Sequence, residues 1–204
     1  EFKGGNLSLY TNALSKQYQT NIKEDTLVND LTYKSYNKIS MLGLVSNYEV
    51  LIKNFNIKSR KSNNYNNKTE NNIQSIINYE IKYPLQKIKK NFLSRLTPVL
   101  SARYSPNQSK NKSNSDSTIN YENIFSLNRM AFSDTVEGGQ SITLGSEYEL
   151  YDKKNNDKKI LSANLATVIR DVQNNRLPIK STLGQKNSDI FGNIDFLANK
   201  YINF

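Results

Sequence analysis

Alternation of apolar and polar residues, sustained over segments far longer than an ordinary strand, constrains this chain more than any other feature. From Ile77 the odd positions read Ile77, Tyr79, Ile81, Tyr83 and Leu85, while Asn78, Glu80 and Lys82 fill the even ones. Successive side chains on a strand point to opposite faces, so this segment has one apolar and one charged face. The pattern recurs. Leu96, Pro98, Leu100, Ala102 and Tyr104 lie opposite Arg95, Thr97, Val99, Ser101 and Arg103. Ile142, Leu144, Tyr148 and Leu150 oppose Thr143, Gly145, Glu147 and Glu149, and Leu161, Ala163, Leu165 and Ile169 oppose Ser162, Asn164 and Arg170. Leu42, Leu44, Tyr48, Val50 and Ile52 oppose Asn47, Glu49 and Lys53. Strands are expected over 5–20, 26–36, 41–58, 70–85, 91–105, 138–152, 158–171 and 188–199.

Length decides what such strands can build. Soluble sheets use strands of about 5–6 residues with turns every 8–12 or so. A membrane barrel needs at least about 9–11 residues per strand, with the apolar face toward lipid and the polar face enclosed. The expectation is therefore an all-β fold, an antiparallel transmembrane β-barrel, here a fragment of about eight long strands across residues 1–204. The connections 37–40, 86–90 and 153–157 are short, whereas 59–69, 106–137 and 172–187 are long and rich in Asn, Ser and Lys. Short turns face the periplasm in bacterial barrels, so odd-numbered strands should run outward. Two features fit less well. Pro98 lacks a ladder donor inside a strand, and the apolar residues change face between Ile52 and Phe55–Ile57, as at a bulge or the end of the membrane zone.

Composition removes other classes. The chain has no Cys, His or Trp, which takes away thiol nucleophiles, Ser–His dyads and the usual zinc and copper ligands. No enzyme, metal or cofactor is expected. No apolar run approaches the roughly 18 residues of a spanning helix, yet 13 Tyr and 8 Phe are more than a disordered tail carries. The net charge of +10 is dispersed through turns, with neither a basic helix face nor a stacking motif, so nucleic acid is not an expected partner. No leader precedes Glu1, and a signal peptide is expected to be removed or to lie outside this stretch.

Three blocks carry a family resemblance. The first is Leu96-Thr97-Pro98-Val99-Leu100 with Tyr104-Ser105-Pro106-Asn107; the second is Asn123-Ile124-Phe125-Ser126-Leu127-Asn128-Arg129 followed by Asp134-Thr135-Val136-Glu137-Gly138-Gly139. The third runs from Leu177-Pro178 through Leu183 to Ser188-Asp189-Ile190-Phe191-Gly192. In order and spacing they resemble the LptD family of lipopolysaccharide-assembly proteins, also called organic-solvent-tolerance proteins. Gln140 and the placing of Gly184 depart from the family pattern. The resemblance implies a channel in the outer membrane of a Gram-negative bacterium that takes part in moving lipopolysaccharide to the outer leaflet. It implies as partners lipopolysaccharide, outer-membrane lipid, an LptE-like lipoprotein plug, and the periplasmic Lpt bridge reached through an N-terminal jelly-roll domain that this chain does not contain.

Within this frame Gly138-Gly139 reads as a strand start that needs positive φ or a bulge, and Arg129 as an anchor for the long loop. Asp134 and Glu137 have no His or nucleophile beside them and are not catalytic candidates. Lys82, Arg95, Arg103 and Arg170 are candidate lumen contacts for lipopolysaccharide phosphates, or partners of Glu80, Glu147 and Glu149 in a cross-strand charge ladder. Tyr83, Tyr104 and Tyr148 read as girdle aromatics. Two other architectures remain open. A complete eight-stranded barrel would need its first and last strands paired, with Phe204 as an aromatic terminus; a soluble periplasmic β-sandwich binding module would bury Ile77, Tyr79 and Ile81 against a second sheet.

Overall fold

A computed structural model describes residues 4–18, 20–63, 65–155, 157–199 and 202–203. All eight expected strands are present as β1 (Gly5–Gln17), β2 (Lys23–Ser35), β4 (Val45–Arg60), β5 (Thr69–Lys82), β7 (Phe92–Ser105), β8 (Gly139–Asp152), β9 (Lys158–Arg170) and β10 (Phe191–Asn199). Three short pieces accompany them: β3 (Lys38–Ile39), β6 (Leu85–Ile88) and β11 (Ile202–Asn203). Every named pairing is antiparallel, and the sheet runs β1-β2-β4-β5-β7-β8-β9-β10-β11, with β3 laid on β4 and β6 on β7. Among the described residues β1 pairs with β2 alone, so the sheet is not closed and the complete eight-stranded barrel is not what forms. Phe204 lies outside the described residues.

Period-two patterning fixes register here, because a one-residue slip would turn every side chain over. Tyr33, Val50, Ile77 and Tyr104 stand in one cross-strand row, and Lys34, Glu49, Asn78, Arg103, Ser141 and Arg170 in the row beside it. The two rows belong to opposite faces. Ile77 is 50% exposed and Tyr79 44%, while Asn78 between them is 4% exposed. The apolar face is bare and the polar one covered. This overturns the sandwich expectation, since Ile77 and Tyr79 have no second sheet over them.

Several sequence expectations need correction. Leu42 and Leu44 lie in the turn before β4, not on its face. No bulge occurs between Ile52 and Ile57: β4 pairs with β2 and with β5 in unbroken register. The pattern inverts there because the faces exchange surroundings. Inward-pointing Phe55 and Ile57 are buried with Val28 under Tyr65, while outward positions become Asn54, Asn56 and Lys58. Asn29 and Asn54, and Asn54 and Asn71, join into an asparagine ladder on that outer surface. A register shift does occur elsewhere, between Leu150 and Tyr151 of β8 where it meets β9.

Pro98 sits where its missing donor costs least. Its carbonyl accepts from the Tyr83 N–H at 3.0 Å, so its nitrogen also faces the break between β5 and β6, where Tyr83-Pro84 already interrupts the partner strand.

The inward face carries the core. Residues 106–138 and 171–190 fold back over it and touch each other, with the Lys112 N–H donating to Arg176 O at 2.7 Å. Ile119, Ile124, Met130 and Phe132 from the first segment, Leu177 and Leu183 from the second, and Ala166 and Val168 from β9 form one buried cluster. Leu51, Ile76 and Val136 form another, capped by Leu127. Connecting segments of this length are uncommon unless they have a job, and these two roof the polar side of the sheet.

Candidate functional site

The site is the junction of the 106–138 segment with β5, β7, β8 and β9. Asn107 opens it. Beyond the Ile77–Tyr104 pair β7 no longer accompanies β5, and the Asn107 side chain takes over, accepting from Ser75 N–H at 2.8 Å. Further along, Val136 N–H donates to Gln74 Oε1 at 2.8 Å, Gly138 N–H to Ser109 Oγ at 2.8 Å, and Lys110 N–H to Thr135 Oγ1 at 2.9 Å. A Cβ at Gly138 would lie 2.1 Å from Asn107 O, and Gly139 adopts φ +89°. The glycine pair therefore serves both close backbone approach and a left-handed turn into β8.

Glu137 lies at the centre, buried under the loop. Arg129 grips it with a two-pronged contact, Nε to Oε2 at 2.9 Å and Nη2 to Oε1 at 2.6 Å, and also donates to Ser141 Oγ at 2.7 Å and Thr143 Oγ1 at 3.2 Å. Arg103 from β7 and Arg170 from β9 pair with the same carboxylate. Burial by itself would raise the Glu137 carboxyl, but Arg103, Arg129 and Arg170 outweigh it and hold the group down to about 2. Asp134 is tied separately, to Lys112 Nζ at 2.8 Å, and Lys110 lies over the Phe55 ring, 4.2 Å from its centroid.

The remaining motif residues position this loop. Asn123 and Asn120 bridge each other's backbone N–H groups. Phe125 packs into the space left by Gly145, whose Cβ would come within 2.6 Å of the ring. Ser126 lines a cleft with Glu49 and Glu80, and Leu127 covers Leu51 and Ile76. Asn128 donates to Phe132 O at 3.1 Å, fastening the turn in which Ala131 has φ +50°. In the third block Ser188 Oγ accepts from Val168 N–H at 2.9 Å, the Asp189 N–H donates to Thr182 Oγ1 at 2.8 Å, and Gly192 lets β10 approach Asn164 O.

The four lumen candidates separate into two pairs. Arg103 and Arg170 are enclosed with Glu137. Lys82 and Arg95 lie on the part of the inward face that the loops leave open, Lys82 at 3.6 Å from Glu80 and 4.0 Å from Glu147, Arg95 at 3.6 Å from Glu149. Sequence reasoning missed the apolar inward cluster, although Ala166 and Val168 at inward positions, together with Ile119, Ile124, Met130 and Phe132 in a segment otherwise rich in Asn and Ser, were its signal.

A long-stranded antiparallel sheet with a bare apolar face, and a polar face roofed by its own loops, defines the class: a β-barrel fragment with its interior loops in place. Residues 50–204 match the family model described as LptD, LPS transport system D, and the chain belongs to that family. It is thus a protein of lipopolysaccharide transport and assembly, in a family of the outer membrane. Among curated proteins, none matches the chain.

Proposed function

We propose that this chain is a section of outer-membrane barrel wall whose inward face lines the route by which lipopolysaccharide reaches the outer leaflet. One observation carries the reading: the apolar side of the sheet, at Ile77, Tyr104, Ile142, Leu144 and Leu165, is exposed, while the polar side is covered in part by the chain's own loops and open at Lys82 and Arg95. Water would make the bare side unfavourable, and hydrocarbon makes it favourable. A phosphorylated, hydroxylated head group has the opposite need, since each unsatisfied polar group in hydrocarbon costs several kcal/mol. The sugar part would travel along the polar face, past Lys82 and Arg95, while acyl chains leave sideways through a strand seam. An LptE-like plug would sit against the open inward stretch where Glu80, Glu147 and Glu149 pair with Lys82, Arg95 and Lys159, and a periplasmic domain would receive lipid from the Lpt bridge.

The test is a photoreactive side chain placed at Arg95 or Glu149 of the full-length protein in cells. Lipopolysaccharide adducts that fade when lipopolysaccharide synthesis is shut off are the expected result. No adduct at either position, with the protein correctly inserted, would contradict the route.

A further inference from the structure

The sheet reverses its polarity partway along β4. As far as Ile52 the outward residues are Tyr48, Val50 and Ile52, with Glu49 and Lys53 inward. Beyond it Asn54, Asn56, Lys58 and Arg60 point outward, while Phe55 and Ile57 point inward into a buried cluster with Val28. Neighbouring strands change at the same level. Register sets Thr11 of β1 and Asn29 of β2 in line with Asn54, Asn71 of β5 beside Asn56, and Asp25 and Thr69 on either side of Lys58. Leu27 and Ile73 are the apolar exceptions.

This part of the sheet also projects past its neighbours. β7 leaves β5 after the Ile77–Tyr104 pair, whereas β4 and β5 run on together to Lys58–Thr69. Its outward polar groups are joined from strand to strand. Thr11 Oγ1 donates to Asn29 Oδ1 at 2.9 Å, Asn29 Nδ2 to Asn54 Oδ1 at 3.4 Å, and Asn54 Nδ2 to Asn71 Oδ1 at 3.2 Å, and Asn56 Nδ2 also reaches Asn54 Oδ1. One row of contacts uses only part of what an amide offers, two N–H donors and a carbonyl. Hydrocarbon would leave the remainder unmet.

A sheet that is apolar inside and polar outside is what water or another polar layer selects, and the opposite is what hydrocarbon selects. We infer that the acyl layer ends at Ile52 on β4, and that the projecting ends of β1, β2, β4 and β5 take the polar head groups of the outer leaflet on their outward face. The long loops gather at this end, which is the outer-leaflet side of a barrel whose short turns face the periplasm. Lys23, Lys58 and Arg60, exposed on the same face, suit the phosphates that lipid head groups carry. The inference rests on the barrel-wall reading, to which it adds a depth on the wall and a partner for its outer side.

The test uses the full-length protein in vesicles of phosphatidylcholine and phosphatidylglycerol, with a fluorescent thiol label at Val50→Cys, Asn56→Cys or Lys58→Cys on β4, or at Leu144→Cys on β8. Three quenchers report three surroundings: bromine on the acyl chains, a nitroxide on the lipid head group, and acrylamide in the water. Bromine should quench the labels at 50 and 144, and the head-group nitroxide those at 56 and 58. Asn56→Cys leaves the contacts from Thr11 through Asn29 and Asn54 to Asn71 in place, so the result does not depend on breaking them. Bromine quenching at 56 and 58 as strong as at 50 would overturn the boundary. Quenching there by acrylamide alone would place these strands in open water, and quenching by none of the three would place a protein over them; either would overturn the head-group assignment. With 50 and 144 quenched by bromine, failure at 56 and 58 removes this inference alone, whereas a label at 144 that escapes bromine removes the barrel-wall reading with it.

Discussion

Glu137 is the residue on which the loop's position turns. Replacing one partner of a buried ion pair leaves the others uncompensated at a cost of about 3–5 kcal/mol. Here Glu137→Gln strands three guanidiniums at once, so it should release the 106–138 segment, read as loss of amide protection at 134–138 and new protease cleavage within the loop. Arg129→Lys keeps the charge but loses the fork and should loosen the loop less. Acid provides a second test. The Glu137 carboxyl ordinarily titrates near 4.5 and is held to about 2 in the folded protein, a depressed value. Its contribution is therefore full above about pH 4.5 and is lost as pH falls through about 2. Loop protection should be flat from neutral pH to about 5 and decline below that; a decline already complete at pH 5 would contradict the assignment. The anchoring role of Arg129 was legible in the motif. The partner of Arg103 and Arg170 was not, because cross-strand logic points to Glu80, Glu147 and Glu149, whereas Glu137 arrives from the far end of a long loop.

At the level of elements, the strands were legible because alternation is a direct record of two unlike environments. All eight appear within a few residues of the expected limits. What blurred the boundaries was local: Tyr83-Pro84 ends β5 early, and the connections expected at 86–90 and 37–40 instead hold the short strands β6 and β3. Less legible was which inward positions are wet. Lys82 and Arg95 face open space, while Thr143, Ala166 and Val168 on the same face are sealed under loops, a distinction made by tertiary packing and not by period. The faces also predict unequal tolerance. Leu144→Arg should destabilise the barrel in membranes by about 2–4 kcal/mol, whereas Glu147→Arg, three residues on and facing inward, should change stability by no more than about 1 kcal/mol. Equal effects on urea midpoints in lipid would contradict the assignment of faces.

Over the whole molecule, an open sheet, a bare apolar surface and a roofed polar one make sense only if the medium is inverted relative to a soluble protein: lipid outside, water and the chain's own loops inside. The loops cover the polar face at the end where the long connections gather, and the family match, over residues 50–204, includes those loops. Thiol accessibility tests this inversion most directly. Single cysteines at Ile142, Leu144 and Tyr148, and at Glu147 and Glu149, would be introduced into the full-length protein in outer membranes and treated with a water-soluble thiol reagent. The account predicts labelling at 147 and 149 and protection at 142, 144 and 148. A cysteine at Thr143 should be protected by the loop and become reactive when Glu137→Gln releases it. Uniform labelling, or protection that ignores the alternation, would contradict the barrel wall and everything built on it.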